Sequence, residues 1–150
     1  MDPVVAIGLA ATCASLVENI IKTASILYGL IERFRTAELA ILSLTTQLST
    51  LEASISELKD VLLTNRQAKL NKRGKLLNAL QESLDSATRV VSHISDELSR
   101  ANLAASQGVK LGRWARAKFL FTGPGLARMK ETLRDQIQAI QFLLSVLICM

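Results

Sequence analysis

Histidine, proline, cysteine and aromatic side chains are all scarce in this chain. Its 150 residues include one histidine, two prolines and two cysteines, and aromatic residues make up 4% of the total. His93 has no serine, cysteine or carboxylate at a catalytic spacing, and general bases are recognised by such partners. Cys13 and Cys149 lie near opposite ends of the chain and form neither a disulfide framework nor a zinc motif. We therefore expect no enzymatic activity, no metal site and no cofactor.

Charge is missing from the start of the chain. Residues 3–17 contain no charged side chain. A secretory signal would need basic residues before this segment, and Asp2 is the only early charge. A membrane-spanning helix needs about 20 apolar residues, whereas Glu18 and Lys22 interrupt any longer stretch. The segment is therefore predicted to start a helix at Asp2 and Pro3 rather than to form a signal peptide or a span. The two isolated cysteines favour a cytoplasmic location.

Apolar residues recur at helical spacing along most of the chain. Steps of three and four residues connect Leu44, Leu48, Leu51, Ile55 and Leu58; then Leu77, Leu80, Leu84, Ala87, Val91, Ile94, Leu98 and Ala101; and finally Leu126, Met129, Leu133, Ile137, Ile140, Leu144 and Leu147. The same steps would fit a coiled coil, but the breaks are short enough for one chain to fold back on itself. We therefore predict one all-α domain over residues 1–150, an antiparallel helical bundle of four long helices with a short basic helix, RWARAKFLF, before the last one. The first helix is predicted to be enclosed by the other three, because it lacks a polar face in its first half.

Basic residues are concentrated in two patches. The first is Arg66, Lys69, Lys72, Arg73 and Lys75, and the second is Lys110, Arg113, Arg116, Lys118, Arg128, Lys130 and Arg134, so together they hold 12 of the 18 basic residues. Such patches are commonly solvated surface, and attraction to anionic lipid headgroups is the functional alternative. No nucleic-acid reader motif accompanies them, so we expect no specific nucleic-acid binding. If the helices alternate in direction, the first basic patch lies at the same end of the bundle as the uncharged start of the chain.

Three stretches of the sequence resemble the fungal HeLo-like N-terminal domain. They are the opening MDPVVAIGLAA, the following LYGL and the closing GRWARAKFLFTGPGLARMKETLRDQIQAIQFLLSVL. The M-D-P start is the most specific of these, followed by the Trp-then-Lys-Phe segment before the last helix. Domains of this family stand at the start of many fungal STAND proteins, ahead of NACHT and repeat regions. The chain is therefore expected to be a lone domain or a fragment of a larger receptor.

The resemblance implies a helical bundle related to the HeLo toxins and to the four-helix executioner of necroptosis. In the best-understood relatives, a trigger releases the N-terminal helix into a membrane and kills the cell. We predict a membrane-active segment that comprises Val4, Val5, Ile7, Leu9, Leu16 and Val17, and we predict that the first basic patch binds anionic lipids. The predicted partners are anionic membrane lipids, with recruitment to the plasma membrane on activation, and the chain itself or other helical domains through homo-oligomerisation. The alternative is a protein–protein interaction or oligomerisation module of a STAND receptor with no membrane role.

Overall fold

Four helices account for the described part of the chain. A computed structural model describes residues 3–31, 38–64, 74–106 and 124–149. The helices are α1 (Pro3–Ile31), α2 (Glu38–Leu62), α3 (Gly74–Ser106) and α4 (Pro124–Ile148), and the described ranges contain no strand. The predicted all-α bundle of four long helices is confirmed. The short basic helix predicted before the last one falls outside the described residues.

The helices bury their apolar stripes in one shared core. On α2, the stripe residues Leu44, Leu48, Leu51, Ile55 and Leu58 are all fully buried. α3 contributes its stripe from Leu77 to Leu98, and α4 contributes residues between Met129 and Leu147. Burial of one leucine or isoleucine side chain contributes about 1.5–3 kcal/mol. The shared core is therefore the main source of stability, and it explains why the three-and-four periodicity of the sequence becomes a bundle.

α1 and α2 form an antiparallel hairpin. Burial raises the pKa of the Cys13 thiol, and the nearby ammonium group of Lys59 opposes that rise. Cys13 belongs to the first half of α1, whereas Lys59 belongs to the last turn of α2. The start of α1 therefore lies beside the end of α2, and the end of α1 lies beside the start of α2.

α2 and α4 run parallel. Gln47 Nε2 of α2 donates a hydrogen bond to the backbone carbonyl of Lys130 in α4 at 3.2 Å. Further along both helices, Gln141 Nε2 of α4 donates to Ser54 Oγ of α2 at 3.5 Å. The residue numbers rise together on the two helices, so they point in the same direction. The C-terminal end of α4 consequently lies at the same end of the bundle as the start of α1.

α3 lies diagonally across the bundle from α2. α1 and α4 each pack against both α2 and α3. Gln136 Nε2 of α4 donates to Ser86 Oγ of α3 at 3.0 Å, which places Ser86 at about the height of Leu51. If α3 ran parallel to α2, Gly74 would lie about 38 Å from Thr64 along the bundle axis, at about 1.5 Å per residue. The chain between these residues reaches about 36 Å at full extension. α3 therefore runs antiparallel to α2, and the four helices alternate in direction along the chain.

α1 is not enclosed on every side, and that prediction is wrong. Leu9 and Cys13 face the core, whereas Ile7 is 56% exposed and Gly8 and Ala11 are also exposed. The cause is the arrangement of the bundle, in which α1 packs against α2 and α3 and keeps an outer face. That face is uncharged before Glu18, because alanine, glycine and serine occupy much of it, and Glu18 and Lys22 are exposed further along the helix.

Two threonines lie within the core without losing their hydrogen bonds. Thr23 and Thr45 are buried. The Thr23 hydroxyl donates to the Asn19 carbonyl at 2.7 Å, and the Thr45 hydroxyl donates to the Ile41 carbonyl at 2.9 Å. A buried hydroxyl without a partner would be costly, and this bond to the preceding turn satisfies its proton.

Replacing Leu48 by alanine tests the shared core. Leu48 is fully buried, so Leu48→Ala should lower the free energy of unfolding by about 2–5 kcal/mol, through lost burial and the cavity left behind. Leu39 lies on the same helix but is 84% exposed, so the matched Leu39→Ala variant should change this free energy by less than about 0.5 kcal/mol. Urea denaturation followed by circular dichroism measures both. Equal losses in the two variants would contradict the packing of α2.

Candidate functional site

Both ends of the described chain lie at one end of the bundle, which we call the terminal end. α1 starts beside the last turns of α2, and α4 ends there because it runs parallel to α2. Residues 3–17 of α1 and residues 136–149 of α4 carry no charge. Its exposed large apolar side chains are Ile7, Leu63, Phe142 and Ile148. The α1 and α4 parts of the terminal end therefore present an uncharged, partly apolar surface, whereas exposed charges at this end belong to Asp60 of α2 and Lys75 of α3.

The residues of the predicted membrane-active segment have different environments. Ile7 is exposed at the terminal end, whereas Leu9 and Leu16 are buried in the core. Val17 is partly buried and packs against the core. Val4 and Val5 belong to α1, but their side chains are outside the described residues. Ile7 can therefore contact a membrane in the folded bundle, while Leu9 and Leu16 could do so only if α1 left the core.

Only one of the five residues of the first basic patch lies within the described part of the chain. Lys75 is exposed in the first turn of α3. The patch members outside the described residues are Arg66, Lys69, Lys72 and Arg73. The described residues on either side of that segment, Thr64 and Gly74, both lie at the terminal end. Of the patch, Lys75 therefore lies at the same end of the bundle as the start of α1, and the placement of the other four residues stays a prediction.

The candidate sites of the described structure are surfaces. Among the described residues, no group of three or more histidine, cysteine, aspartate or glutamate side chains could hold a metal ion. Of the described helices, none combines the length and the apolar character needed to cross a membrane. His93 is exposed on α3, away from the shared core.

A second surface, the hairpin face, lies on the outer side of the α1–α2 pair. Its α1 line consists of Ile7, Ala14, Ile21 and Tyr28, and its α2 line consists of Leu42, Ser49, Ser56 and Leu63. Members of each line are spaced by seven residues, so they follow one side of their helix. The large side chains in both lines are exposed to solvent. The hairpin face is thus a groove edged by exposed apolar residues, and exposed Asp60 of α2 lies on the same side of that helix.

The buried flanks of the two helices place these lines side by side. Gln47 and Ser54 of α2 contact α4, so the opposite flank of α2, which carries Lys59, faces α1. The α2 line follows the outer edge of that flank. α1 is a right-handed helix that runs antiparallel to α2. The side of α1 that carries Ala10 and Val17 therefore faces α2. The α1 line follows the outer edge of this flank, directly across the groove from the α2 line.

The two lines also run together along the pair. Because α1 and α2 are antiparallel and Cys13 lies near Lys59, the Ile7 end of the α1 line lies at the Leu63 end of the α2 line, and the Tyr28 end lies at the Leu42 end. Large side chains therefore occupy both ends of the hairpin face.

The hairpin face is absent from the expectations drawn from the sequence. Those expectations follow the apolar positions that step by three and four residues, which become the core. The signal that could have revealed the face is the recurrence of large apolar side chains at Ile7, Ile21 and Tyr28, seven or fourteen residues apart, outside the buried stripe of the same helix. Its pairing with the α2 line depends on the order of the helices, which periodicity does not give.

Comparison with known proteins gives no relative for this chain. No family model matches it, and no curated protein or solved structure matches it. Function is therefore inferred from the terminal end, from the hairpin face and from the resemblance of the sequence to the HeLo-like domain.

The two cysteines should differ in reactivity. Burial raises the pKa of the Cys13 thiol to about 12, and the smaller opposing effects of Lys59 and a backbone hydrogen bond leave it protonated near neutral pH. Cys149 is exposed. A thiol reagent should therefore label Cys149 rapidly in the native protein and Cys13 only after denaturation, as peptide mass spectrometry can show. Rapid labelling of Cys13 in the native protein would contradict its placement in the core.

The same burial predicts a loss of stability at high pH. The pKa of the Cys13 thiol is about 12 in the folded protein and 9.0 without the influence of the fold. The unfolded chain therefore loses this proton first as the pH rises. The contribution of Cys13 to stability is intact below about pH 9 and is lost between about pH 9 and about pH 12. Cys13→Ala should show a smaller decline over this range than the parent protein in urea denaturation at each pH, and identical declines would contradict the assignment.

Proposed function

We propose that the protein is an effector or signalling bundle that binds anionic membrane surfaces through its terminal end. The proposed setting, which the resemblance to HeLo-like domains supports, is regulated cell death in fungi, with a cytoplasmic protein recruited to the plasma membrane by a trigger. One observation carries the proposal. Exposed apolar side chains lie at the same end of the bundle as Thr64 and Gly74, between which most of the first basic patch lies.

Electrostatic attraction and apolar insertion would act together at the terminal end. A basic residue near an anionic leaflet contributes about 1 kcal/mol, so the first basic patch would supply about 5 kcal/mol before screening by salt. Exposed side chains such as Ile148 and Phe142 can enter the headgroup region without leaving the core. Binding by this end therefore requires no unfolding of the bundle.

Release of α1 into the membrane is the finer form of this proposal. It would expose Leu9 and Leu16 to water before they reach the bilayer, which costs about 3–6 kcal/mol for these two side chains. This barrier is comparable to the attraction of the first basic patch, so a trigger that loosens α1 would speed release. Residues 3–17 form about 22 Å of helix, which is shorter than the hydrocarbon core of about 30 Å. A pore would therefore need oligomerisation or local thinning of the bilayer.

The alternative function is an interaction or oligomerisation module with no membrane role. The observation that favours it is the hairpin face, because exposed large apolar side chains that follow two neighbouring helices are typical of surfaces that contact other helices. In this case the apolar residues at the terminal end would be ordinary surface positions, and the first basic patch would be solvated.

Charge reversal in the first basic patch tests the membrane proposal. Lys72→Glu/Arg73→Glu should bind vesicles rich in phosphatidylserine at least about tenfold more weakly at low salt, because repulsion replaces attraction at two positions. Lys22→Glu/Arg89→Glu changes the net charge equally on exposed side chains of α1 and α3 that lie away from the terminal end and outside both basic patches, so it should bind nearly as well as the parent. Cosedimentation measures binding, with phosphatidylcholine vesicles as the uncharged reference.

The outcomes separate the two forms of the proposal. If the parent protein does not bind anionic vesicles, or if both charge reversals weaken binding equally, the terminal end is not a lipid site. If the parent binds, thiol labelling on the vesicle shows what happens to α1. Cys13 should remain unreactive when the intact bundle binds, and it should become reactive when α1 leaves the core.

A further inference from the structure

We propose that the bundle docks on an anionic membrane in a tilted orientation, with the α3 corner of the terminal end against the headgroups and the α2 corner raised from them. Each corner is the outer edge of one helix at that end. This orientation rests on the proposed membrane function and specifies which part of the terminal end meets the lipid. It follows from the charges of two corners that lie diagonally across the bundle.

The α2 and α3 corners carry opposite charges. Lys75 is exposed in the first turn of α3, whereas Glu57 and Asp60 are exposed near the end of α2. Within the described residues, neither acid forms an ion pair. Lys59 lies between the acids in the sequence, but its side chain is partly buried on the flank that faces α1. An anionic surface therefore attracts the α3 corner and repels the α2 corner.

The acidic residues of α3 lie too far from the terminal end to cancel this difference. The first exposed acid after Lys75 on α3 is Glu82, which lies seven residues, or about 10 Å, further along the helix. On α2, Asp60 lies only three residues, or about 4.5 Å, from exposed Leu63. Salt screens charge effects beyond about 8 Å at physiological ionic strength. A membrane that touches Leu63 therefore acts on Asp60, whereas one that touches Lys75 is screened from Glu82.

The helix ends add to the same difference in charge. α3 begins at the terminal end, so its free backbone N–H groups place partial positive charge there, and its first turn contains no acidic residue. α2 ends there, so its terminal carbonyl groups place partial negative charge beside the two acids. Backbone and side-chain charges consequently favour the same corner.

The position of Phe142 gives a second reason for the tilt. The hydrogen bond between Gln141 and Ser54 places Phe142, which is exposed on α4, further from the terminal end than both acids of α2. An upright bundle deep enough for Phe142 to reach the headgroups would carry both acids into the same layer. Raising the α2 corner keeps the acids in water, while the α4 corner stays low because it lies on the other diagonal.

Two exposed positions at equal height allow the orientation to be measured. Asn78 of α3 and Glu57 of α2 are both exposed. The hydrogen bonds that α4 makes with Ser86 and with Ser54 place both residues at about the height of Leu144, at about 1.5 Å per residue. Labels at these two positions would lie at equal depth under an upright bundle and at different depths under a tilted one.

Spin labels on Asn78→Cys and Glu57→Cys test the tilt. Both substitutions are made in a Cys149→Ser background, and buried Cys13 should stay unlabelled in the folded protein. On vesicles of phosphatidylserine and phosphatidylcholine, power-saturation electron paramagnetic resonance should place the Asn78 label deeper by at least about 5 Å. Helices spaced by about 10 Å put diagonal corners about 14 Å apart, so a tilt of about 30° separates the labels by about 7 Å. Loss of the Glu57 carboxylate favours contact of the α2 corner, so it works against the expected result.

Exchange of the corner charges tests their role in the orientation. Lys75→Glu/Asp60→Lys leaves the net charge unchanged, and in the labelled proteins it should abolish or reverse the difference in depth. The matched control, Arg89→Glu/Asp96→Lys, exchanges exposed charges further along α3, so the difference should remain. Circular dichroism should show that both double variants keep the helix content of the parent, because all four side chains are exposed.

The contrary outcomes are distinct. A parent protein that does not bind these vesicles overturns the membrane function and the orientation together. Binding with the two labels at equal depth, or with the Glu57 label deeper, overturns the tilt and leaves the membrane function standing. A difference in depth that survives the exchange of Lys75 and Asp60 also overturns the proposal, because these charges would then not set the orientation.

Discussion

The arrangement of the bundle depends on the buried stripe of α2. This helix packs against both α1 and α4, and its stripe is fully buried between them. Apolar burial supplies the stabilisation but does not by itself fix the height at which helices meet. Polar contacts at the flanks fix the relative height of α2 and α4. Gln47 can donate to the Lys130 carbonyl, and Gln141 to Ser54, only when the two helices are aligned at these positions. Burial and hydrogen bonding thus have separate roles in the same interface.

The diagonal placement of α2 and α3 gives the molecule two kinds of surface. α3 and the first half of α4 carry most of the exposed charges of the described residues. The α1–α2 side and the terminal end carry few. A surface that lacks charge costs little in solubility when alanine, serine and threonine share it, and it remains available for contact with lipid or protein. The two proposed functions share Ile7 and Leu63 and otherwise use different parts of this region, so substitutions outside these two residues test them independently.

The helices themselves could be predicted from the sequence, because each depends on neighbours within a few positions. α4 starts at Pro124, a residue favoured at the first position of a helix, and the stripe residues of α2 and those of α3 from Leu77 to Leu98 are buried as their spacing indicates. The prediction that the helices alternate in direction also placed Thr64 and Gly74 at the correct end of the bundle. The exposure of Ile7 could not be predicted in the same way. An uncharged helix is compatible with an enclosed or an open position, and the choice depends on which helices are neighbours. The same information about neighbours is needed to find the hairpin face.

The seven-residue spacing of the two lines has a geometric consequence. An α-helix turns once in 3.6 residues, so each step of seven moves a line by about 20° around its helix. Along α1 this drift carries the line toward α2, and along α2 it carries the line toward α1. The apolar track therefore crosses the pair obliquely, with Leu63 deepest in the groove at one end and Tyr28 deepest at the other. A straight helix laid along the pair would lose contact with this track after a few turns. A binding partner that covers the whole length of the track must therefore coil around the pair with a left-handed twist.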